Sequence, residues 1–238
     1  MGSASGNPQN RSMRTKRNLA LAGAVIGSAL VLTGCGLDLS FNRSQSVEKY
    51  DIKDKVTSLA VNAGSGDVIV NESDRTGIEV TETLNYRGSQ PTDGHEVSGE
   101  ILKLAYDCND CSIDYRVEVP RGLNVRVDTG SGTITLRSLT GPIDVSTGSG
   151  DIEANGLTSK TALADTGSGD VELRFNAAPD NTQVSSGSGE GVVYVPKGTY
   201  HVTLQSGSGE QTVQVAQDPA SPKKITIKTG SGDVKVLV

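Results

Sequence analysis

The sequence predicts an all-β fold, specifically a parallel β-solenoid (β-helix) with coils of about 20 residues and Gly-Ser-Gly corners. Three observations carry this prediction. A Gly-Ser-Gly tripeptide recurs seven times, starting at Gly64, Gly130, Gly148, Gly167, Gly187, Gly207 and Gly230, and from Gly130 onward the spacings are 18, 19, 20, 20 and 23 residues. A repeat near twenty residues marks a stacked architecture. On both sides of each tripeptide, apolar residues alternate with polar ones. Three positions before it stand Val61, Val127, Val145, Ala164, Val184, Leu204 and Ile227; six after it stand Val70, Leu136, Ala154, Leu173, Val193, Val213 and Val236. Period two is the pattern of a strand with one buried face. Composition agrees: 34% hydrophobic and 3% aromatic residues with 29 glycines describe a thin aliphatic core with many corners.

A single coil has too few inward side chains to offset the ordering of its backbone, at about 1–2 kcal/mol per residue. Stacking coils at about 4.8 Å closes the hydrogen-bond ladder and merges the inward faces into one core. Glycine suits the corners because a sharp change of direction calls for positive φ.

Taken in order, the chain opens on an export signal. Arg14, Lys16 and Arg17 precede an apolar run from Leu19 to Leu32, too short to span a membrane comfortably, and the run ends in Leu32-Thr33-Gly34-Cys35. This resembles a bacterial lipobox, which implies that residues 1–34 are a lipoprotein signal peptide and that Cys35 is lipidated. Met13 would give a more usual signal length than Met1. Residues 35–55 read as the lipidated cysteine and a polar tether, and residues 56–238 as the solenoid domain. Within it, residues 71–119 form an irregular β-rich insertion with strands at Ile78–Tyr86, Ile101–Tyr106 and Ile113–Val119, while residues 120–238 form regular coils. In the insertion, Cys108 and Cys111 form a Cys-x-x-Cys. Without a βαβ context or further ligands nearby, an extracytoplasmic disulfide is the expected state. The chain stops at the strand Val234–Val238, which reads as an uncovered end able to pair with a partner or, end to end, with a second copy.

Without residues 1–34 the chain has 18 basic and 28 acidic residues, a formal charge of −10. That disfavours nucleic acid as a partner and any polybasic grip on anionic lipid. The bilayer contact is then the lipid on Cys35, with several acyl chains (palmitate among them), since one chain binds only marginally.

Six of the seven tripeptides are followed by Asp or Glu. Stacked at about 4.8 Å, such carboxylates repel by about 0.9 kcal/mol in water. A cation such as calcium along Asp151, Asp170 and Asp233 would relieve this, whereas the simpler reading has each carboxylate accept an amide hydrogen bond in its own corner. Serine at all seven corners speaks for geometry rather than a nucleophile, and with two histidines no triad is apparent. Repeat-equivalent carboxylates share one environment, which disfavours a glycosidase pair. The glycines build no phosphate loop, and no cofactor is expected.

The Thr-Gly-Ser-Gly-Asp-Val/Ile core at 147–152, 166–171 and 229–234, with the lead-in Cys-Ser-Ile-Asp-Tyr-Arg-Val-Glu-Val-Pro at 111–120, resembles a bacterial putative-adhesin family of β-strand repeats. The resemblance covers residues 56–238. It implies an extracytoplasmic β-solenoid with no established enzymatic activity, and a role in binding a surface polymer or protein. An accessory protein docking a membrane partner through its C-terminal coil is the alternative, and a glycan-active enzyme a remote one. Gly191 and Gln211 depart from the pattern, standing where other coils have an inward apolar residue.

Overall fold

The computed structural model describes residues 43–238. The expected signal peptide, residues 1–34, and the expected lipidation site Cys35 lie outside the described residues. All regular structure among the described residues is β-strand, arranged as two ten-stranded sheets that do not close into a barrel.

The repeat units appear as strand pairs, one strand in each sheet. They are β2 (Ser58–Asn62) with β3 (Val68–Glu72), β8 (Asn124–Ser131) with β9 (Ile134–Arg137), and β10 (Ile143–Ser149) with β11 (Ile152–Leu157). Next come β12 (Thr161–Ser168) with β13 (Val171–Phe175), and β14 (Asn181–Ser188) with β15 (Gly191–Tyr194). Then follow β16 (Thr199–Ser206) with β17 (Gln211–Val213) and the short β18 (Ala216–Gln217), and finally β19 (Lys224–Ser231) with β20 (Val234–Leu237). Neighbouring pairs run parallel and in register; Val127, Val145 and Ala164, for example, share one row. Inward residues are fully covered in the middle of the stack: Val125, Leu136, Ile152, Val171 and Val193 are all 0% exposed. The turn between the two strands of a pair forbids a Cβ. At Gly169, with φ at +147°, an added Cβ would fall 2.1 Å from the carbonyl oxygen of Gly150. At Gly167 the backbone is not left-handed, but a Cβ would still lie 2.6 Å from the Gly148 oxygen. Close approach of successive turns, as much as positive φ, therefore requires glycine.

The order of the pairs is the main departure from a simple stack. With β1 (Arg43–Ile52), β4 (Ile78–Arg87), β5 (His95–Ser98), β6 (Ile101–Ala105) and β7 (Cys111–Val119), the first sheet runs β1-β4-β7-β3-β9-β11-β13-β15-β20-β17 and the second β18-β16-β19-β14-β12-β10-β8-β2-β6-β5. At the C-terminal end, the last pair in sequence, β19–β20, is inserted between β14–β15 and β16–β17. The expectation that Val234–Val238 forms an uncovered end is thus corrected. Val234 and Val236 are 0% exposed, and the open end is the 199–217 segment. The two departures from the repeat explain why. Gly191 leaves room for Ile227, whose Cγ2 lies 2.6 Å from where a Cβ would stand. Gln211 occupies an inward position but is exposed, because nothing stacks beyond it. A polar residue there is tolerated only in the outermost pair.

The same inversion occurs at the other end. The three strands expected in the insertion are present as β4 (Ile78–Arg87), β6 (Ile101–Ala105) and β7 (Cys111–Val119). The β6–β7 pair stacks outside β2–β3, although it follows it in sequence. Beyond it, β4 pairs antiparallel with β7, and β5 (His95–Ser98) antiparallel with β6. The expected tether over 35–55 also needs correction. Residues Arg43–Ile52 form a tenth strand, β1, paired antiparallel with β4 over its whole length. As an edge strand it buries only Tyr50 and Ile52, so its sequence carries little apolar pattern.

Candidate binding surfaces

Two polar ladders line the edge where the Gly-Ser-Gly turns stack. The inner one is made by the hydroxyl just before each tripeptide from the second onward. Thr147 donates to the carbonyl of Gly132 (3.2 Å), Thr166 to Gly150 (3.0 Å), Ser186 to Gly169 (3.0 Å), Thr229 to Gly189 (3.0 Å) and Ser206 to Gly232 (2.8 Å). Most of these hydroxyls are buried, and each satisfies a carbonyl that the tight turn leaves without a strand partner. Sequence reasoning gave this position no role; the hydroxyl in every copy from Thr129 onward is the signal that would have found it.

The outer ladder is acidic. Asp151 accepts the amide of Asp170 at 2.9 Å, Asp170 that of Glu190 at 2.7 Å, and Asp233 that of Glu210 at 2.9 Å. The acceptor thus serves the next pair's turn and not its own. Asp114 belongs to this ladder, accepting from the amide of Asp67 at 3.0 Å, although no Gly-Ser-Gly precedes it. Glu190, one methylene longer, reaches Lys235 instead of the next amide, and Glu210 stands on the outermost pair with no turn beyond it. Lys235 also lies 3.1 Å from Asp233. Amide and ammonium together hold the Asp233 carboxyl below its ordinary range. Asp151 and Asp170 are neighbours, whereas Asp233 is separated from Asp170 by the Glu190 rung. Among the described residues, no three or more His, Cys, Asp or Glu side chains converge as a metal site.

The outer face of the second sheet presents in-register rows. One runs Arg126, Asp144, Leu163, Gln183, Thr226 and Thr203, each a ladder neighbour of the next. All but Thr226 are exposed. The first sheet's outer face carries Arg174 over the ring of Tyr194, 3.6 Å from its centroid. Aromatic rows are absent among the described residues. Tyr194 stands alone on this face, and Tyr50, Tyr115 and Tyr200 are buried.

Those buried tyrosines belong mostly to the N-terminal end. Glu82 is 0% exposed and accepts hydrogen bonds from Tyr50 (2.5 Å) and Tyr106 (2.6 Å). His95 stacks on Tyr50 with centroids 4.3 Å apart. Burial raises the Glu82 carboxyl above its ordinary value, and the two phenol donors only partly oppose this. Burial, with Glu82 nearby, also pushes all three phenols Tyr50, Tyr106 and Tyr115 well up, so they stay protonated donors. Cys108 and Cys111 are paired as a disulfide, with Cα atoms 5.9 Å apart, closing the turn from β6 to β7.

A family model for Toastrack DUF4097 matches residues 2–237. The chain belongs to the Toastrack DUF4097 family. Its fold is similar to that of a putative adhesin from Bacteroides fragilis, at 15% identity and a TM-score of 0.50, covering 82% of this chain and 98% of that one. A putative cell adhesion protein from Clostridium sporogenes aligns at 14% identity and a TM-score of 0.49, covering 81% and 99%. No curated protein matches the chain. The Toastrack fold places its two ladders, its flat faces and its two unlike ends as the surfaces available for binding.

Proposed function

We propose that the Toastrack body is a single solenoid, turning at its Gly-Ser-Gly corners every twenty or so residues. On this reading it is held on the outer face of the cell membrane by lipid on Cys35. It binds a surface polymer or protein, or serves as a scaffold for one, without catalysing a reaction. The supporting observation is the in-register, mostly polar row from Arg126 to Thr203, broken only by the exposed Leu163. Side chains spaced at about 4.8 Å along one row suit an extended partner that touches several of them at once. The stack's polarity fits as well. Strand β1 begins at Arg43, close after Cys35 in sequence, and β17 closes the far side of the ten-strand order. Nine spacings of about 4.8 Å extend the body roughly 40 Å from the anchored strand. The Bacteroides fragilis relative of this fold is described as a putative adhesin, which agrees with surface binding.

The test is binding of labelled residues 36–238, which include every core residue, to isolated cell envelopes with and without calcium. Saturable binding to protein-free wall material, weakened by charge reversal at Arg126 and Asp144, is the expected result. Binding that vanishes once envelope proteins are stripped would replace the polymer by a protein partner. No binding to either would overturn the reading. Loss of binding in chelator would assign a cation to the acidic ladder.

A further inference from the structure

We propose that two copies of this chain pair end to end through the open β16–β17 pair, about a two-fold axis. The inference rests on the sheet order and not on the surface-binding reading. The first sheet ends at β17 and the second at the two-residue β18 laid on β16, so the edges of β17 and of most of β16 are open together. In β17, hydrogen bonds to β20 use the amide of Gln214 (to Val236, 2.8 Å) and the carbonyl of Glu210 (from Val234, 2.9 Å). By strand alternation, Gln211 and Val213 turn their N–H and C=O groups to the free side. In β16, His201 and Gly207 donate inward, to Lys223 (2.8 Å) and Thr229 (3.2 Å), which leaves the main-chain groups of Val202 and Leu204 directed outward. The β18 segment covers only Thr199 and Tyr200 of that edge. Between the two edges, Val202, Leu204, Val213 and Val215 pack on the core but are only partly buried.

The choice of occupant follows from this geometry. An extended peptide can pair with one edge and leaves the apolar row uncovered. A coil end pairs with both edges and covers the row. The chain before Arg43 joins at β1, on the opposite side of the stack. The β1 end of another copy is also a poor fit, because its edge carries Arg43, Glu48, Lys49 and Asp51 and is closed by the Tyr50–His95 stack. The segment Gln211 to Gln217 has no charged residue. Apart from Glu210 and Asp218 at its two ends, such an edge brings no charge to the contact, and the closed contact is isologous.

Sedimentation equilibrium of residues 36–238 tests this, with wild type compared with the double variant Gln211→Lys/Gln214→Lys. Both glutamines are exposed, so circular dichroism and the melting temperature should be unchanged. The proposal expects a dimer at about 100 µM and a dissociation constant at least about tenfold weaker in the variant. A wild-type monomer at that concentration, or a dimer that the lysines leave intact, would overturn it. The single variant Gln214→Lys should show a smaller weakening of the same sign, and provides the readout if the double variant is destabilised.

Discussion

The two ends of the stack terminate the same pair of sheets by opposite means. At the N-terminal end the ladder turns antiparallel, an edge strand with four charged residues covers β4, and a carboxylate–phenol–imidazole cluster fills the last layer. At the C-terminal end the parallel register continues to the last pair and stops, with inward side chains half-covered and no charge from 211 to 217. An edge rich in charge resists further pairing, and one that is neutral and bare invites it. The difference teaches that the repeat does not by itself decide where the stack ends. Individual departures from the repeat do.

The largest effect is expected where one such departure sets the order of the pairs. Gly191→Val should destabilise by about 3 kcal/mol, because the new side chain occupies the space of Ile227. Adding Ile227→Ala should recover at least half of that loss in denaturant unfolding. Additive losses would mean that Gly191 does not receive Ile227. Next comes a matched pair in one row: Val236, fully buried, and its ladder partner Val213, half-covered at the open end. Val236→Ala should cost about 2–3 kcal/mol and Val213→Ala less than about 1 kcal/mol. Equal losses would mean that the 199–217 pair is not the outermost.

At the closed end the expected effect is a pH dependence. The folded chain keeps the Glu82 proton to higher pH than the unfolded chain, whose carboxyl titrates near its ordinary 4.5. The native state therefore binds more protons, and this group's contribution is full below about pH 4.5 and lost as pH rises through the raised folded value. Glu82→Gln should flatten that decline in stability between acid and neutral pH. An unchanged slope would assign the dependence to another group. The smallest effect belongs to the acidic ladder. Asp170→Ala should cost about 1 kcal/mol by leaving the Glu190 amide without its acceptor, and Asp170→Asn, which keeps an acceptor oxygen, should cost less.

Much of this architecture is legible in the residues. The alternation around each tripeptide identifies the buried row from Leu59 to Ile225, and the near-regular spacing identifies units that stack in register. The order of the units at each end is less legible, because parallel neighbours in one register offer nearly the same contacts to any of several partners. Only Gly191 and Gln211 distinguish them, and in the sequence these read as poorly filled positions. Strand β1 escapes notice for a related reason: an edge strand with two buried residues looks like a tether. Glu82 falls in the inward phase of Ile78, Val80 and Leu84, where a carboxylate reads as an interruption until Tyr50 and Tyr106 are seen to meet it. Asp114 lacks the tripeptide that marks its equivalents. The resemblance of Leu32-Thr33-Gly34-Cys35 to a lipobox rests on the sequence alone.

The strand pair β19–β20 lies between β14–β15 and β16–β17. Paired cysteine substitutions on the outer face of the second sheet test it most directly, by disulfide formation under mild oxidation. Gln183 and Thr203 are each ladder partners of Thr226. The account predicts bridging in Gln183→Cys/Thr226→Cys and in Thr203→Cys/Thr226→Cys, and none in Gln183→Cys/Thr203→Cys. Efficient bridging of positions 183 and 203 would mean that the pairs stack in sequence order, and would contradict the account.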